Sequence, residues 1–281
     1  LYYLNNEIKM NSRNDVINDF GDEWGFFKQT NKKELKKVFN QYFHIFPWDL
    51  INEKSTGFDM GCGSGRWAQF VAPKVGTLNC IEPSTSAIKV AIENLKYNNN
   101  CEFKCSTISQ TNLDQNSQDF GYCLGVLHHV ENTLEDLKKC TSFLKKGAPF
   151  LIYLYYKFDN RPIWFKFIAL TVNKFRQIIS KFPFSIKLPI CIVIGILIYF
   201  PLAKLTWILE KLNLNTKNIP LRDYRNKSIY YMMTDALDRF GTKLEKRYTK
   251  EEIIIMMKES NLEKISFSNR EPFWVALGYK C

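Results

Sequence analysis

The sequence has few of the patterns that bind metals or form disulfide frameworks. It contains eight cysteines but no C-x-x-C pair, and Cys101 and Cys105 have no second pair or histidine cluster to complete a zinc site. Most of the cysteines lie in apolar runs, where a free thiol packs as a small hydrophobe. We therefore expect no metal, no disulfide framework and a reducing, cytoplasmic location.

A secretory signal is not recognisable in the first residues. The stretch "LYYLNNEIKMNSRN" has no basic head followed by an apolar core. Leu1 is not an initiator residue, so we expect the natural start to lie upstream of it or at Met10. Internal repeats and low-complexity tracts are not recognisable either, and 281 residues suffice for a full α/β core with an insertion.

Acidic residues are outnumbered by basic ones. The formal net charge is +11, and aromatic residues make up 15% of the chain. A basic balance favours an anionic partner, which could be nucleic acid, an anionic membrane face or a phosphorylated substrate. The charge alone does not choose among these partners.

The order of elements predicts an interrupted α/β core. Strands are expected at Gly57–Met60, Thr77–Ile81, Cys101–Cys105, Phe120–Val126 and Phe150–Tyr155, with helical stretches between them. This alternation predicts a doubly wound, mostly parallel sheet. From Tyr248 onward, Thr249 and Glu252 have capping-box spacing, and "EKISFSNREPFWVALGYK" reads as an antiparallel hairpin.

Three regions follow from this pattern. Residues 1–54 are predicted to be an N-terminal helical cap, in which "NKKELKKVFNQYF" places Leu35, Val38, Phe39 and Tyr42 on one helix face. Residues 55–156 and 248–281 form the predicted core, and residues 157–247 a helical, aromatic and basic lid that covers the substrate.

A glycine-dense turn stands in "STGFDMGCGSGRWAQFV". Its Gly-x-Gly-x-Gly spacing differs from the Gly-x-Gly-x-x-Gly that places a dinucleotide pyrophosphate at a helix N-terminus. Asp59, just before the turn, would repel a pyrophosphate but suits a cationic sulfonium and amino acid end. Glu82 ends the next strand, where an acidic residue can accept hydrogen bonds from ribose hydroxyls. The alternatives are a tight turn without a ligand and a surface charge at a strand end.

The stretches "GFDMGCGSGRWA", "CIEPS" and "DFGYCLGVLHHV" resemble motif I, the acidic loop and the fourth-strand motif of class I S-adenosylmethionine-dependent methyltransferases. The resemblance covers about residues 55–156 and 248–280. It implies a seven-stranded α/β sheet that ends in an antiparallel hairpin, with S-adenosylmethionine as cofactor. The implied cofactor-binding residues are Asp59, Gly61, Cys62, Gly63, Gly65, Arg66, Glu82, Pro83, Ser84, Ser106, Thr107, Ile108, Leu124, Gly125 and Trp24.

The chain departs from the family pattern after the third strand. Many relatives carry an acidic residue there that contacts the adenine amino group, but this chain has "CSTISQTNL". Hydroxyl groups or the backbone would have to make that contact. At the N-terminus, Phe20, Trp24 and Phe27 could form the apolar side of a helix closing over the cofactor, or Trp24 could be an ordinary core anchor.

Catalytic candidates follow the fourth and fifth strands. His129 is the preferred general base, with His128 and Tyr153 as weaker candidates, because a hydroxyl acceptor must lose a proton. The alternative is that the histidine pair shapes the cofactor pocket. Substrate-binding candidates are Tyr155, Tyr156, Asp159, Arg161, Tyr224, Arg225, Asp235 and Arg239, for which core packing or a salt-bridged surface is the alternative.

The acceptor class is only partly constrained. The position after strand four reads "LGVLHH" instead of an Asn/Asp-Pro-Pro-aromatic motif, the chain has no Pro-Cys nucleophile, and it carries no recognisable RNA-binding module. Nucleic acid is therefore disfavoured. We predict methyl transfer to an oxygen of a sugar, a lipid-linked sugar or a quinone-like compound. An RNA methyltransferase and a non-catalytic cofactor-binding protein remain alternatives.

An uncharged run of sixteen residues, "LPICIVIGILIYFPLA", occupies positions 188–203 within a lysine- and ring-rich region. It could be a buried lid helix, an interfacial element or, with two internal prolines, a short membrane span. Peripheral contact with a membrane or a lipid-linked substrate through residues 182–211 would place the protein at the cytoplasmic face. "FGDEW", "HIFPWD", "YYKFDNRP" and "DRFGT" resemble bacterial methyltransferases of surface-polysaccharide function. The sequence does not predict the oligomeric state.

Overall fold

The structure is a computed structural model that describes residues 31–281 together with residues 17, 21 and 26. Phe20, Trp24 and Phe27 therefore lie outside the described residues. The described chain divides into two compact units, with boundaries between Lys157 and Phe158 and between Lys243 and Leu244.

The first unit is built on a seven-stranded sheet. Its strands lie in the order β3-β2-β1-β4-β5-β7-β6, parallel from β3 to β5, while β7 runs antiparallel to both β5 and β6. The predicted α/β fold with a closing hairpin is confirmed. The strands are β1 Thr56–Met60, β2 Thr77–Ile81, β3 Cys101–Lys104, β4 Phe120–Leu124, β5 Pro149–Tyr153, β6 Leu262–Phe267 and β7 Val275–Lys280.

Five α-helices accompany this sheet among the described residues. They are α1 Lys32–Tyr42, α2 Ala68–Val71, α3 Thr85–Asn94, α4 Thr133–Ser142 and, after the second unit, α9 Lys250–Glu259. Helix α1 begins at Asn31, whose side chain accepts a hydrogen bond from the Glu34 amide, and it buries Leu35, Val38 and Phe39. The capping box predicted at Thr249 and Glu252 is present at the start of α9.

Two glycine–phenylalanine pairs fix how β1 packs beside β4. Gly57 lies opposite Phe120, and Phe58 opposite Gly121. A Cβ atom on Gly57 would lie 2.3 Å from the Phe120 ring, and one on Gly121 would lie 2.3 Å from the Phe58 ring. Each ring therefore occupies the space that the opposite glycine leaves.

Strands β4 and β5 end earlier than the sequence pattern predicts. The apolar run continues to Val126 after β4 and to Tyr155 after β5, but the strands end at Leu124 and Tyr153. At Gly125 the backbone turns into the left-handed region, with φ +83°, which ends the extended conformation. The residues that follow are thereby released from the sheet and reach its carboxyl edge.

The second unit, Phe158–Lys243, is helical. Its helices are α5 Ile163–Ile179, α6 Phe184–Ile194, α7 Phe200–Lys211 and α8 Ile229–Gly241, and a π-helical turn, Gly195–Tyr199, makes α6 and α7 continuous. Two buried cations close the end of α8: Arg176 donates to the Thr242 carbonyl and Lys187 to the Gly241 carbonyl, at 2.7 and 3.1 Å. These bonds satisfy carbonyls that the helix itself leaves open.

The continuous run Phe184–Lys211 is 28 residues long and apolar enough to cross a membrane by length and composition. Only 28% of its most apolar window is buried, whereas a core helix of this composition would be mostly covered. Most of this apolar surface is therefore exposed.

Candidate active site

Three glycines in left-handed conformations form the turn that joins β1 to α2. Gly61, Gly63 and Gly65 have φ values of +78°, +54° and +76°. A Cβ on Gly61 would lie 2.3 Å from Val126, and one on Gly65 would lie 2.8 Å from Leu95. Both conformation and space therefore require glycine at these two positions. The amides of Gly61 and Cys62 donate to the Ile81 carbonyl at 2.8 and 2.9 Å, which ties the turn to the end of β2.

Glu82 lies directly against this turn. One of its carboxylate oxygens accepts a hydrogen bond from the Gly63 amide at 3.0 Å, and the other accepts one from the Ser84 amide at 2.9 Å. Burial raises the pKa of Glu82 to about 7, although these two backbone donors favour the charged form. Glu82 is thus a buried, positioned carboxylate and not a surface charge.

Asp59 is the second buried carboxylate at the turn, with 1% of its surface exposed. Its Oδ2 has no hydrogen-bond partner among the residues that the structure describes. Burial raises its pKa to about 7, the Tyr122 phenol and Arg66 partly offset this, and Glu82 raises it further. The Tyr122 hydroxyl lies close enough to act on Asp59, but no hydrogen bond of ordinary geometry joins the two groups.

A buried carboxylate oxygen with an open acceptor position is costly unless a ligand completes it. The missing partner must be a hydrogen-bond donor, and a cationic donor would also favour the ionised form. The turn and its two carboxylates therefore fit the positively charged amino acid end and the ribose hydroxyls of S-adenosylmethionine. A pyrophosphate fits poorly, because the buried Asp59 carboxylate would repel it.

The loop that is predicted to contact the adenine forms side-chain hydrogen bonds within itself. Ser106 and Thr111 share a hydrogen bond of 2.9 Å between their hydroxyls, and the Thr107 hydroxyl donates to the Gln110 side chain at 3.0 Å. Ile108 is buried. Cys105 donates weakly to the Pro83 carbonyl, with 3.6 Å between sulfur and oxygen, so this loop lies beside the acidic loop. The adenine contact itself stays a prediction.

Three further predicted cofactor residues are Leu124 and Gly125, at the carboxyl end of β4, and Cys62, in the glycine turn. Leu124 and Cys62 are buried, and the Cys62 thiol points to the Gly63 carbonyl at 3.8 Å. A Cβ on Gly125 would meet Arg66 Nη2 at 3.8 Å and no other atom within 4 Å among the described residues. Gly125 thus borders open space next to Arg66, as a position flanking a ligand requires.

His128 and His129 are both buried behind β4. The Nδ1 atom of His129 lies 2.7 Å from the Leu244 carbonyl oxygen. Since a carbonyl only accepts, we assign the proton of the neutral ring to Nδ1, which leaves Nε2 as the basic nitrogen. His128 stacks on Tyr155 with 3.8 Å between ring centroids, and its role as a base stays a prediction.

Aromatic rings from three parts of the first unit form a continuous wall beside these histidines. Tyr153 meets Tyr155 with 5.8 Å between centroids and Tyr42 edge-on at 5.0 Å, and Tyr42 meets Trp67 at 5.3 Å. Arg66 lies over the Trp67 ring at 4.6 Å. The wall therefore reaches from the glycine turn to the histidine pair.

Sequence reasoning missed two members of this wall and the residues behind it. Trp67 directly follows the turn, and its buried Nε1 has no hydrogen-bond partner within the described part of the chain. Tyr42 was assigned to a helix face only. The return segment after Lys243 was also missed, although Leu244 orients His129 and Arg247 lies over Tyr155 at 5.4 Å. The position of Trp67 next to the glycines could have predicted its place in the site, but nothing in the sequence indicates the contact of the Leu244 carbonyl with His129.

The remaining substrate candidates do not share one environment. Tyr156 contacts Phe273 and Trp274 beside the closing hairpin, with 5.8 and 6.4 Å between centroids. The other six belong to the second unit: Asp159, Arg161, Tyr224, Arg225, Asp235 and Arg239.

Several of these second-unit residues contact one another. Arg239 pairs with Asp235 at 2.9 Å and donates to the buried Tyr224 hydroxyl at 3.0 Å. Arg225 pairs with Glu210 at 2.5 Å, and Arg161 donates to the Lys217 carbonyl. These contacts hold the helices of the unit together, and acceptor binding by these residues stays a prediction.

The N-terminal region touches the acidic loop at one described point. Gly21 is buried, and a Cβ there would lie 2.3 Å from the Ser86 hydroxyl and 2.5 Å from the Ser84 hydroxyl. Ser84 caps α3 by accepting from the Ala87 amide. The backbone at residue 21 therefore packs against the start of α3, next to Glu82, whereas Trp24 lies outside the described residues.

Comparisons with known proteins agree with this geometry. Residues 58–152 match the model of a methyltransferase domain family. A protein of Clostridium tetani named an uncharacterized RNA methyltransferase is 39% identical over 88 residues, which are 30% of this chain and 18% of that protein. The chain thus matches less than a fifth of that relative's length.

A solved structure shows the same fold at low identity. A protein from Nostoc punctiforme, provisionally named an O-methyltransferase, aligns over 92% of this chain and 60% of its own with a TM-score of 0.52 and 12% identity. A Thermotoga maritima methyltransferase, named a possible histamine N-methyltransferase, aligns over 92% and 94% with a TM-score of 0.48 and 14% identity. The family match supports S-adenosylmethionine as the cofactor of the described turn.

Proposed function

We propose that this chain is a class I S-adenosylmethionine-dependent methyltransferase that methylates an oxygen of a small-molecule acceptor, namely a sugar, a lipid-linked sugar or a quinone-like compound; the family match over residues 58–152 supports this. The observation that carries the proposal is the glycine turn with its two buried carboxylates, Asp59 and Glu82. S-adenosylmethionine supplies a methyl carbon already activated by its sulfonium. The protein must therefore hold the donor, align the acceptor and accept one proton.

Each of these tasks has a candidate group. Asp59 accepts hydrogen bonds from the positively charged amino acid end, and Glu82 accepts them from the ribose hydroxyls with the lone pairs that its backbone donors leave. The glycine backbone allows the close approach that these contacts need. Because both carboxylates are buried, their attraction for a cation is weakened little by solvent.

His129 is the candidate general base. The Leu244 carbonyl holds the proton on Nδ1 at 2.7 Å, so Nε2 can accept the proton of an acceptor hydroxyl as the new bond forms. The wall of Tyr42, Trp67, Tyr153 and Tyr155 places aromatic rings beside His129, with Tyr42 half-buried and the other three buried. Both features favour a small cyclic hydroxyl compound.

One finding favours RNA as the alternative acceptor. The Clostridium tetani relative is named an RNA methyltransferase, and this chain carries a net charge of +11. A basic surface alone supplies affinity for nucleic acid without sequence recognition. The match covers only 18% of that relative, so the small-molecule acceptor remains our proposal.

Labelled methyl transfer separates these acceptors. The purified chain is incubated with S-adenosylmethionine carrying a labelled methyl group and with bacterial extract divided into RNA, lipid-soluble and water-soluble fractions. We expect label in a lipid-soluble or sugar fraction, insensitive to ribonuclease and abolished by Asp59→Asn. Label in a ribonuclease-sensitive fraction would replace the small molecule with RNA. Cofactor binding without label in any fraction would favour a non-catalytic protein.

A further inference from the structure

Acidic residues are absent from a long part of the second unit. Residues 160–209 contain no Asp or Glu and seven Lys or Arg. The whole unit, residues 158–243, has fourteen Lys and Arg and five Asp and Glu, a formal charge of +9 out of the chain's +11. Most of the net charge of the protein is thus concentrated in less than a third of its sequence.

The same region exposes many large apolar side chains. In α5, Phe165 and Arg176 are buried, whereas Trp164, Phe167, Leu170 and Phe175 are exposed, Phe167 to 66%. Solvent-exposed rings and aliphatic chains at this density are unusual for a surface in contact with water alone. The exposed lysines of α5 and the following loop, Lys166, Lys174 and Lys181, lie among them.

One side of the continuous helical run of α6 and α7 is buried. Lys187, Cys191, Gly195, Tyr199 and Ala203 are buried at intervals of four residues. A Cβ on Gly195 would lie 2.9 Å from Met233 Cγ and 3.0 Å from Met233 Cα, so this stripe packs tightly on α8. The opposite side therefore faces outward. The exposed apolar residues of the run include Val193, Ile196, Leu197, Ile198, Leu205 and Ile208.

We propose that these outward side chains of α5, α6 and α7, here called the basic apolar face, dock into the interface of an anionic lipid bilayer. The apolar side chains enter the boundary between headgroups and acyl chains, and Lys166, Lys174, Lys181, Lys204 and Lys211 meet anionic headgroups. The absence of carboxylates over residues 160–209 removes the groups that would be repelled.

Charge also argues against a second copy of the chain as the occupant. A symmetric dimer through this face would bring two surfaces of the same sign together, with no acidic residue between 160 and 209 to offset them. Anionic lipid instead supplies both an apolar layer and the opposite charge. This combination decides the proposal in favour of a bilayer.

Docking at the surface fits the structure better than crossing the membrane. The inner side of α6 is fixed to α8, which carries Asp235, Asp238 and Arg239, and Lys187 is itself buried against the end of α8. A crossing would carry these charged groups through the hydrocarbon layer at high cost. A face lying in the interface leaves them on the aqueous side.

The proposal does not depend on the methyl-transfer reaction. It does favour a lipid-resident acceptor, because docking would confine the enzyme to the surface where such acceptors are concentrated. Lipid binding and methyl transfer are measured separately, so failure of one leaves the other standing.

Vesicle flotation of the full chain tests the docking. One set of vesicles is pure phosphatidylcholine, and a second contains phosphatidylglycerol as about one third of its lipid. We expect the protein to float with the anionic vesicles, to stay in the dense fraction with the neutral ones, and to be released by alkaline carbonate. No flotation, equal flotation with both vesicles, or resistance to carbonate as shown by a membrane-spanning protein would each overturn the proposal.

Paired variants locate the contact. Leu170→Asp with Phe175→Asp, and separately Lys174→Glu with Lys181→Glu, should each lower the vesicle partition coefficient at least about tenfold. The matched controls lie in the first unit: Ile255→Asp, which is 54% exposed, and Lys258→Glu with Lys264→Glu. Controls that lose as much lipid binding as the test variants, or a dimer broken by Leu170→Asp and Phe175→Asp without any lipid binding, would refute the assignment.

Circular dichroism and thermal melting accompany each variant. All substituted positions are exposed, so we expect melting temperatures close to that of the unsubstituted chain. Binding of S-adenosylhomocysteine by the same variants reports whether the first unit is intact. A variant that keeps its fold and still binds S-adenosylhomocysteine, but no longer binds vesicles, directly supports docking through the basic apolar face.

Discussion

Replacing Asp59 with Asn should stabilise the ligand-free protein while it removes cofactor binding. Burial raises the pKa of this carboxyl from 3.8 to about 7. A group whose folded pKa lies above its unfolded pKa stabilises the fold most when it is protonated, and that contribution is lost as the pH rises through about 7. The neutral amide of Asn avoids this loss at every pH.

The size of the effect follows from the two pKa values. A difference of about three pH units corresponds to about 4 kcal/mol at pH 8, where the folded carboxyl is ionised, and to about 2 kcal/mol at pH 5. These are upper values, because Asn keeps a buried amide that must also find partners. The free energy of unfolding of Asp59→Asn should therefore exceed that of the unsubstituted protein, and more so at pH 8.

Urea unfolding at both pH values, followed by circular dichroism, gives these free energies. Calorimetric titration with S-adenosylhomocysteine gives the binding, which should weaken at least a hundredfold for a buried charged contact. Asp114→Asn, at an exposed position, is the matched control and should change neither quantity. A destabilised Asp59→Asn variant, or one that binds normally, would refute the assignment of Asp59 as a carboxylate held for a cationic ligand.

Three further predictions concern the same site. Between about pH 6 and about pH 8, affinity for S-adenosylhomocysteine should rise about tenfold for each carboxyl group, Asp59 or Glu82, that must ionise before the ligand binds. Calorimetry in buffers of different ionisation enthalpy should show the released protons. An affinity that does not change with pH would contradict both assignments. Gly65→Ala should lower the free energy of unfolding by about 1–3 kcal/mol more than Gly147→Ala, and only Gly65→Ala should weaken S-adenosylhomocysteine binding. Both glycines have positive φ, but a Cβ atom meets Leu95 only at Gly65. Equal losses of stability would exclude the steric argument. His129→Gln should keep cofactor binding and lower turnover of an identified acceptor about a hundredfold or more, and full turnover would exclude it as base.

The sheet could be predicted from the sequence because its signals are local. Apolar runs bounded by turn residues placed all seven strands, and β2 matches its predicted range, Thr77–Ile81. The glycine turn was recognisable because its three left-handed positions lie within five residues, and each of them favours glycine. The end of β4 was less predictable, because Gly125 stops the strand while the apolar pattern continues.

The surroundings of the turn depend on contacts between distant residues. Tyr42 meets Tyr153 across 111 positions of chain, and Leu244 reaches His129 across 115. Neither contact leaves a repeat or spacing in a single sequence. The burial of Asp59 and Glu82 was likewise invisible, since a carboxylate at a strand end reads equally well as a surface charge.

The second unit shows the limit of reading charged residues as binding residues. Arg225 and Asp235 stood out in the sequence as part of a dense polar cluster. In the structure they pair with Glu210 and Arg239 within the unit. The exposed apolar surface of α5 was also not predicted, because the charged residues of α5 interrupt its apolar pattern, whereas residues 188–203 form an uncharged run.

Calorimetric titration of the purified chain with S-adenosylhomocysteine, with NAD titrated in parallel, tests the central claim most directly. Asp59 and the Gly-x-Gly-x-Gly spacing of the turn predict micromolar binding of S-adenosylhomocysteine and no binding of NAD. Binding of NAD alone would contradict the assignment of the turn and, with it, the proposed methyl transfer.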